Sequence, residues 1–382
     1  MKPRLRPIHD QAIVITGASS GIGLATARMA ARQGADVFLI ARDGAALADI
    51  VAELEEEGLS AGYAVADVGD EEELNAAAAA AIEKFGGFDT WVNNAGVGIV
   101  SPVDEVSTAD HERLFRTNYF GVVHGSLAAL RHFRETGESG AIINLGSVVS
   151  DMPMILSVPY AATKHAVKGF TDGLRIEVMH ERLPISVTLV KPSTIDTQFF
   201  EHAHTNTAAM GRGIGKIYTP DVVAEAILYA ASHVKRDITI GSMATFGGEI
   251  AALVPEFIDG FQSALSYGNV LRTGRLPSGD NLYDAPDEGR ETASLPEARG
   301  FSLTTTAQMH PRATWSAIAL GAAATVGAAL LARHVARTEW RPTRHALDGL
   351  TGRFQKTLRT KLRPALRAGA ERVSDWTSRR PF

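Results

Sequence analysis

The stretch Thr16-Gly-Ala-Ser-Ser-Gly-Ile-Gly23 constrains this chain more than any other. It follows a β-branched run, Ile13-Val-Ile15, and leads into an Ala-rich segment, 24–33, of helical character. A strand, a glycine turn and a helix start in that order turn backbone N–H groups toward an anion at the helix N-terminus, where a pyrophosphate docks. In such a turn Gly17 allows the sharp bend, Gly21 the close approach of backbone to ligand, and Gly23 the packing of helix on strand. Ser19, Ser20 and Ile22 are the remaining candidate contacts. An ordinary strand-to-helix turn has no need of three glycines so spaced, and the flanking strand and helix supply the context a dinucleotide site requires.

Further apolar runs recur between amphipathic stretches, at 36–41, 62–66, 88–93, 141–145, 185–190 and 238–240. Their continuous apolar character fits strands covered on both faces, so the expected fold is α/β, a doubly wound parallel sheet with helices on each side. The Ala76–Ala81 run reads as helix interior. The second strand ends Ala41-Arg42-Asp43, with no acidic residue at its tip to bind a ribose 2′-hydroxyl. Arg42 there favours a 2′-phosphate, and so NADP over NAD.

Downstream, Tyr160 and Lys164 stand four residues apart and therefore share a helix face. Ser147 lies thirteen residues before the tyrosine, at the end of a strand-like run. A free phenol titrates at about 10, and a neighbouring ammonium is expected to pull it toward working pH. The bland alternative is a buried Tyr and a surface Lys that happen to fall on one helix.

Together these residues resemble the short-chain dehydrogenase/reductase family, in its subgroup of roughly 250 residues. The glycine turn, Asp67-Val68 after the third strand, Asn93-Asn94-Ala95-Gly96 after the fourth, Asn118, the Ser147, Tyr160 and Lys164 set, and Lys191-Pro-Ser-Thr-Ile-Asp-Thr197 match its motifs in order. The resemblance covers residues 10–250. It departs at Ser193, where the family has Gly, and at Gly146, where many members have Ser. It implies a nicotinamide cofactor held also by Asp67, Val68, Asn94, Ala95, Gly96, Pro192, Ile195 and Thr197. It further implies an alcohol or carbonyl substrate bound at Ser147 and Tyr160, with Tyr160 as general acid or base. Lys164 would hold the nicotinamide ribose, and Asn118 a water leading to solvent. The alternative functions are a non-catalytic cofactor-binding regulator or membrane scaffold, and a sugar-nucleotide epimerase or dehydratase. Intact catalytic motifs speak against the first, and the narrow Gly21–Gly23 spacing against the second.

The 382 residues are 45 % hydrophobic and 21 % charged, ample for a full core, and contain no cysteine, which removes disulfides and thiolate metal sites. His202 and His204 lie in a polar, glycine-bearing stretch, 199–219, that resembles a substrate lid; they read as solvated residues rather than metal ligands. Residues 273–299 read as a linker or an irregular tail. The domains expected are a basic arm (1–10), the catalytic domain (11–260), a linker (261–312), an apolar helix (313–332) and a basic amphipathic tail (333–382). The apolar stretch has the twenty uncharged residues a bilayer crossing needs. The tail holds 13 Lys or Arg against 4 Asp or Glu, a net +9 in a chain of −5. With Leu347, Leu350, Phe354, Leu358 and Leu362 at helical spacing, it suits an anionic membrane surface. No nucleic-acid motif accompanies the charge. The expected partners are the substrate, a membrane and further copies of the chain as a homo-oligomer. The basic N-terminus lacks the apolar run of a secretory signal. The expected location is the cytoplasmic face of a membrane.

Overall fold

The computed structural model describes residues 3–311 except 208, 266, 274–276 and 286–288, together with 314, 324–330 and 332–333. Residues 1–311 make one compact unit and 312–382 a second. In the first unit the strands are β1 (Ala12–Thr16), β2 (Asp36–Ala41), β3 (Ala61–Val65), β4 (Thr90–Asn93), β5 (Gly140–Leu145), β6 (Ile185–Pro192), the short β7 (Thr194–Ile195), β8 (Ala209–Gly211) and β9 (Ile217–Tyr218), then β10 (Asp237–Ile240) and β11 (Leu271–Thr273). Seven of them form one sheet in the order β3-β2-β1-β4-β5-β6-β10. All its neighbours run parallel. This is the expected doubly wound α/β fold. The order reverses between β1 and β4, and the crevice at their carboxyl ends is where such sheets bind ligands.

The crossover helices are α1 (Gly21–Arg32), α2 (Gly44–Glu56), α3 (Glu71–Phe85), α4 (Thr108–Phe115), α5 (Gly121–Thr136) and α6 (Val158–His180). They are followed by α7 (Phe199–His202), α8 (Pro220–Ser232), α9 (Ser242–Leu253), α10 (Pro255–Ser263), α11 (Tyr267–Val270) and α12 (Leu303–Met309). One core layer packs Leu24, Ala27, Ala30 and Ala31 of α1 with Ala226, Ile227 and Ala230 of α8. Small residues on both helices let them approach closely. The opposite layer centres on Trp91, Phe133, Leu74 and Ala81. Beneath the crevice a buried polar lattice ties strands to helices. Trp91 Nε1 donates to Asn93 Oδ1 (2.7 Å), and Asn93 Nδ2 to Asn144 Oδ1 (2.8 Å) and Ser126 Oγ (3.0 Å). Asn144 Nδ2 in turn donates to Thr171 Oγ1 (3.0 Å). A fully paired network of this kind holds β4, β5, α5 and α6 in one register.

The stretch expected as a polar lid, 199–219, carries α7, β8 and β9. The reason is long-range pairing: β8 runs antiparallel to β11 and β9 parallel to β7. Residues 278–285 and 289–311, expected as linker or irregular tail, are irregular as far as α12 but lie against the main body of the first unit, so that unit extends to Pro311. Most of the apolar segment 313–332 and nearly all of the basic tail 333–382 lie outside the described residues; 324–330 are helical. Among the described residues no helix is long and apolar enough to cross a membrane.

Candidate active site

The glycine turn closes over the end of β4. Gly17 adopts φ +65°, and a Cβ there would sit 2.7 Å from Ala95 Cα. At Gly23 a Cβ would meet the Gly17 carbonyl oxygen at 2.1 Å, so the start of α1 presses on the turn itself. Asn94 fastens the two sides: its Nδ2 donates to the carbonyls of Thr16 (2.9 Å) and Gly17 (3.1 Å). Thr16 Oγ1 accepts from the N–H groups of Asn94 (3.0 Å) and Ala95 (3.1 Å).

One cleft runs from this turn across the sheet. Of the residues expected in the site, Gly17, Ser19, Ser20, Gly21, Ile22, Arg42, Asp67, Val68, Asn94, Ala95, Gly96, Ser147, Tyr160, Lys164, Pro192, Ile195 and Thr197 all line it. Gly23 and Asn118 do not; they stand behind the wall and shape it. Several buried polar atoms along the lining have no hydrogen-bond partner: Thr117 Oγ1, Ser193 Oγ, Gln198 Oε1 and Asn281 Oδ1. Buried polar groups are nearly always paired, so these fit a polar ligand in the cleft. The two hydroxyls can donate or accept and the two amide oxygens accept, a set that suits a ligand bearing both phosphates and hydroxyls, as a dinucleotide does.

At the other end lies the presumed chemistry. Pro159 in the first turn of α6 starts the helix without wasting an N–H, and Tyr160 and Lys164 follow on the face toward β5. The Lys164 ammonium, only 4 % exposed, donates to the Leu145 carbonyl (2.8 Å) and lies 5.7 Å from the centre of the Tyr160 ring. Ser147 caps the short turn Val148–Ser150, and its hydroxyl lies near enough to that of Tyr160 to pull the phenol downward. Asn118 sits in a π-helical turn, Arg116–Phe120, of the kind frequent at functional sites. Its side chain takes both backbone groups of Val97 (2.8 and 2.9 Å) and reaches Thr163 Oγ1 (3.2 Å). Asn118 thereby fixes the loop after β4 against α6.

The electrostatics differ from the expected direction. Burial pushes the Tyr160 hydroxyl up to about 12, against a pull downward from the Ser147 hydrogen bond. Burial likewise draws the Lys164 ammonium down to about 8. In the free protein burial dominates both groups, and the Lys164 ammonium donates a hydrogen bond to the Leu145 carbonyl.

Beyond Tyr160 the walls turn apolar, with Val149, Met154, Ile155, Phe199, Phe200 and Val270. Phe199 packs on the Tyr160 ring at 5.2 Å between centres, and a Cβ on Gly98 would strike it at 2.4 Å. Met152 packs with Val149 behind this lining. His202 is buried beside the cleft, and His204 pairs with Asp280 (2.7 Å). Val270, Asn281 and Ala285 entered from outside the sequence motifs. They carry no periodic or glycine signal that would have marked them.

Comparison with known proteins agrees with this geometry. The family model described as short chain dehydrogenase matches residues 11–208. The uncharacterized oxidoreductase YxnA of Bacillus subtilis (strain 168) is 46 % identical over 289 residues, 74 % of this chain and 81 % of its own length. A short chain dehydrogenase/reductase from Burkholderia phymatum, solved in complex with NAD, superposes with a TM-score of 0.60 at 26 % identity, covering 65 % of this chain and 94 % of that one. A gluconate 5-dehydrogenase from Burkholderia cenocepacia J2315, in complex with NADP and tartrate, gives 0.53 at 26 % identity, covering 62 % and 96 %.

Proposed function

Because the chain belongs to the short chain dehydrogenase family and is an NAD(P)-dependent oxidoreductase, we propose that it interconverts a carbonyl compound of largely apolar body and its alcohol, with NADP(H). The observation that carries this reading is Tyr160, lining the cleft beside Ser147 and Lys164 where it passes from the glycine turn to apolar walls.

A bound nicotinamide supplies or accepts the hydride. The residues of the chain do the rest. Held up at about 12, the Tyr160 phenol keeps its proton at neutral pH and is suited to donate it to a carbonyl oxygen. Ser147 donates a second hydrogen bond to that oxygen and orients it. Lys164, largely cationic at neutral pH with its value near 8, balances the phenolate left behind. Gly17, Ser19, Ser20, Gly21 and Ile22 would receive the pyrophosphate, with Gly23 shaping the turn behind them, Arg42 a 2′-phosphate, and Asp67 and Val68 the adenine. Asn94, Ala95 and Gly96 back the ribose beside Lys164, and Pro192, Ile195 and Thr197 flank the nicotinamide. NADP(H) is favoured because Ala41 leaves no carboxylate at the tip of β2 and Arg42 places a cation there.

Tyr160→Phe is the test. Turnover should fall by about 10²–10⁴-fold while nucleotide affinity, measured by fluorescence titration, stays within about twofold. Near-normal turnover would remove the assignment. We further place the enzyme on the cytoplasmic face of a membrane through residues 313–382, on the strength of their apolar and basic composition. Full-length protein that remains in the supernatant with anionic vesicles at low salt would refute this placement.

A further inference from the structure

Residues 278–285 follow an irregular path; Ser278, Asp280 and Asn281 bond Glu201, His204 and His202, and the stretch from 281 to 284 also takes bonds from two arginines beside the dinucleotide end. Arg42 Nη2 donates to the carbonyls of Asn281 (2.7 Å) and Asp284 (2.7 Å), and its Nη1 to that of Tyr283 (3.1 Å). Arg113 Nε donates to the Leu282 carbonyl (2.8 Å), while its Nη2 binds Asp67 (2.6 Å). Burial works to raise the Asp67 carboxyl, but the Arg113 bond and the Gly69 N–H outweigh it and hold it below the usual range. Two anchors keep the stretch in place. The Leu282 side chain is 0 % exposed among Val97, Ile99, Val106 and Leu114. The Tyr283 hydroxyl donates to Asp110 (2.8 Å). Asn281 and Ala285 line the cleft itself, and Asn281 Oδ1 is one of its unpaired buried atoms.

The consequence for Arg42 is specific. Among the described residues its hydrogen-bond partners are neutral carbonyls, so its charge is oriented without being cancelled by a bonded carboxylate. Three of its five N–H groups are engaged and two remain for a ligand. A guanidinium fixed in this way loses little freedom on meeting a phosphate, which is where preorganisation raises affinity.

We infer that residues 278–285, outside the stretch matched by the family model, complete the adenosine end of the site, and that Leu282 and Tyr283 are positioning residues that hold Arg42 ready for a 2′-phosphate. This rests on the NADP(H) reading above. The inference separates from general destabilisation by one readout, the ratio of affinities for two nucleotides that differ only in that phosphate.

Wild type, Leu282→Ala and Tyr283→Phe are titrated with NADPH and with NADH, following quenching of protein fluorescence. For Leu282→Ala the Kd for NADPH should rise about tenfold, the equivalent of about 1.4 kcal/mol, while that for NADH moves less than about twofold. Tyr283→Phe should show the same asymmetry at about threefold. It removes only one oxygen from an exposed side chain, so it carries the test alone if Leu282→Ala does not fold. Equal loss for both nucleotides, no loss, or tighter NADPH binding overturns the inference and leaves the NADP(H) reading standing. A wild-type protein that binds neither nucleotide, or binds NADH more tightly, sinks that reading first and this one with it.

Discussion

At the scale of single residues, spacing put Tyr160 and Lys164 on one helix face, because i and i+4 cannot avoid sharing it, and the family resemblance added Ser147; all three line one cleft. The direction of the Tyr160 shift was not legible. It depends on how deeply the phenol is enclosed, and that is set by Phe199 and by the cluster containing Leu282, both remote in sequence. The buried lysine leaves a measurable trace in the ligand-free protein. Between its folded value near 8 and the ordinary 10.5, the unfolded chain binds the proton more tightly than the folded one. Stability contributed by Lys164 therefore rises with pH across that window. Tyr160 opposes it from pH 10 up to about 12, where the folded state keeps the phenol proton longer. Melting temperatures between pH 8 and 10 should climb in wild type relative to Lys164→Met; parallel curves would show that the ammonium is not buried as described. Gly23→Ala tests the turn. Its methyl would lie 2.1 Å from a backbone oxygen that cannot step aside, so nucleotide affinity should fall at least about tenfold.

At the scale of elements, β1 to β6 and β10 were readable as apolar runs, since strands buried on both faces need no alternation. The same reasoning failed for β7, β8, β9 and β11. These two- and three-residue strands exist only because distant segments meet, β8 with β11 and β7 with β9. The π-helical turn at Arg116–Phe120 was equally hidden, although the asparagine within it was not. Its structural work predicts a cost. Asn118→Ala leaves the Val97 N–H and carbonyl unpaired in the interior, at about 1–3 kcal/mol for each unmet group. Calorimetry should show a lowered melting temperature together with lost turnover, and an unchanged melting temperature would contradict the pairing. Gly98 offers a cleaner probe of the apolar end. A methyl there displaces Phe199 from the Tyr160 ring, so KM for apolar carbonyl compounds should change while nucleotide affinity does not.

For the whole molecule, the fold was legible as far as β10, and the site as far as Thr197. Between residues 273 and 311 the chain offers neither strand-like runs nor a glycine turn. What holds residues 278–285 and 289–311 includes side-chain bonds to carbonyls, such as Arg42 to Asn281 or Lys235 Nζ to the Gln308 carbonyl (2.6 Å), and backbone bonds such as Arg299 N–H to the Ile217 carbonyl (3.0 Å), all between partners far apart in sequence. The division at Pro311 predicts the outcome of truncation. Removing 312–382 should leave melting temperature and nucleotide affinity unchanged, whereas removing everything from 278 onward should lower both. Equal behaviour of the two truncations would count against the extended unit.

That Asn281 and Ala285 line the cleft from outside the stretch matched by the family model bears on inhibitor design. Enzymes built on this nucleotide fold are hard to tell apart through their shared phosphate turn. A small molecule wedged between the Arg42 guanidinium and the Asn281 amide would be reading a surface assembled from beyond the common scaffold. Selectivity against other dehydrogenases would then come from residues beyond the matched stretch, leaving Tyr160 and Lys164 untouched.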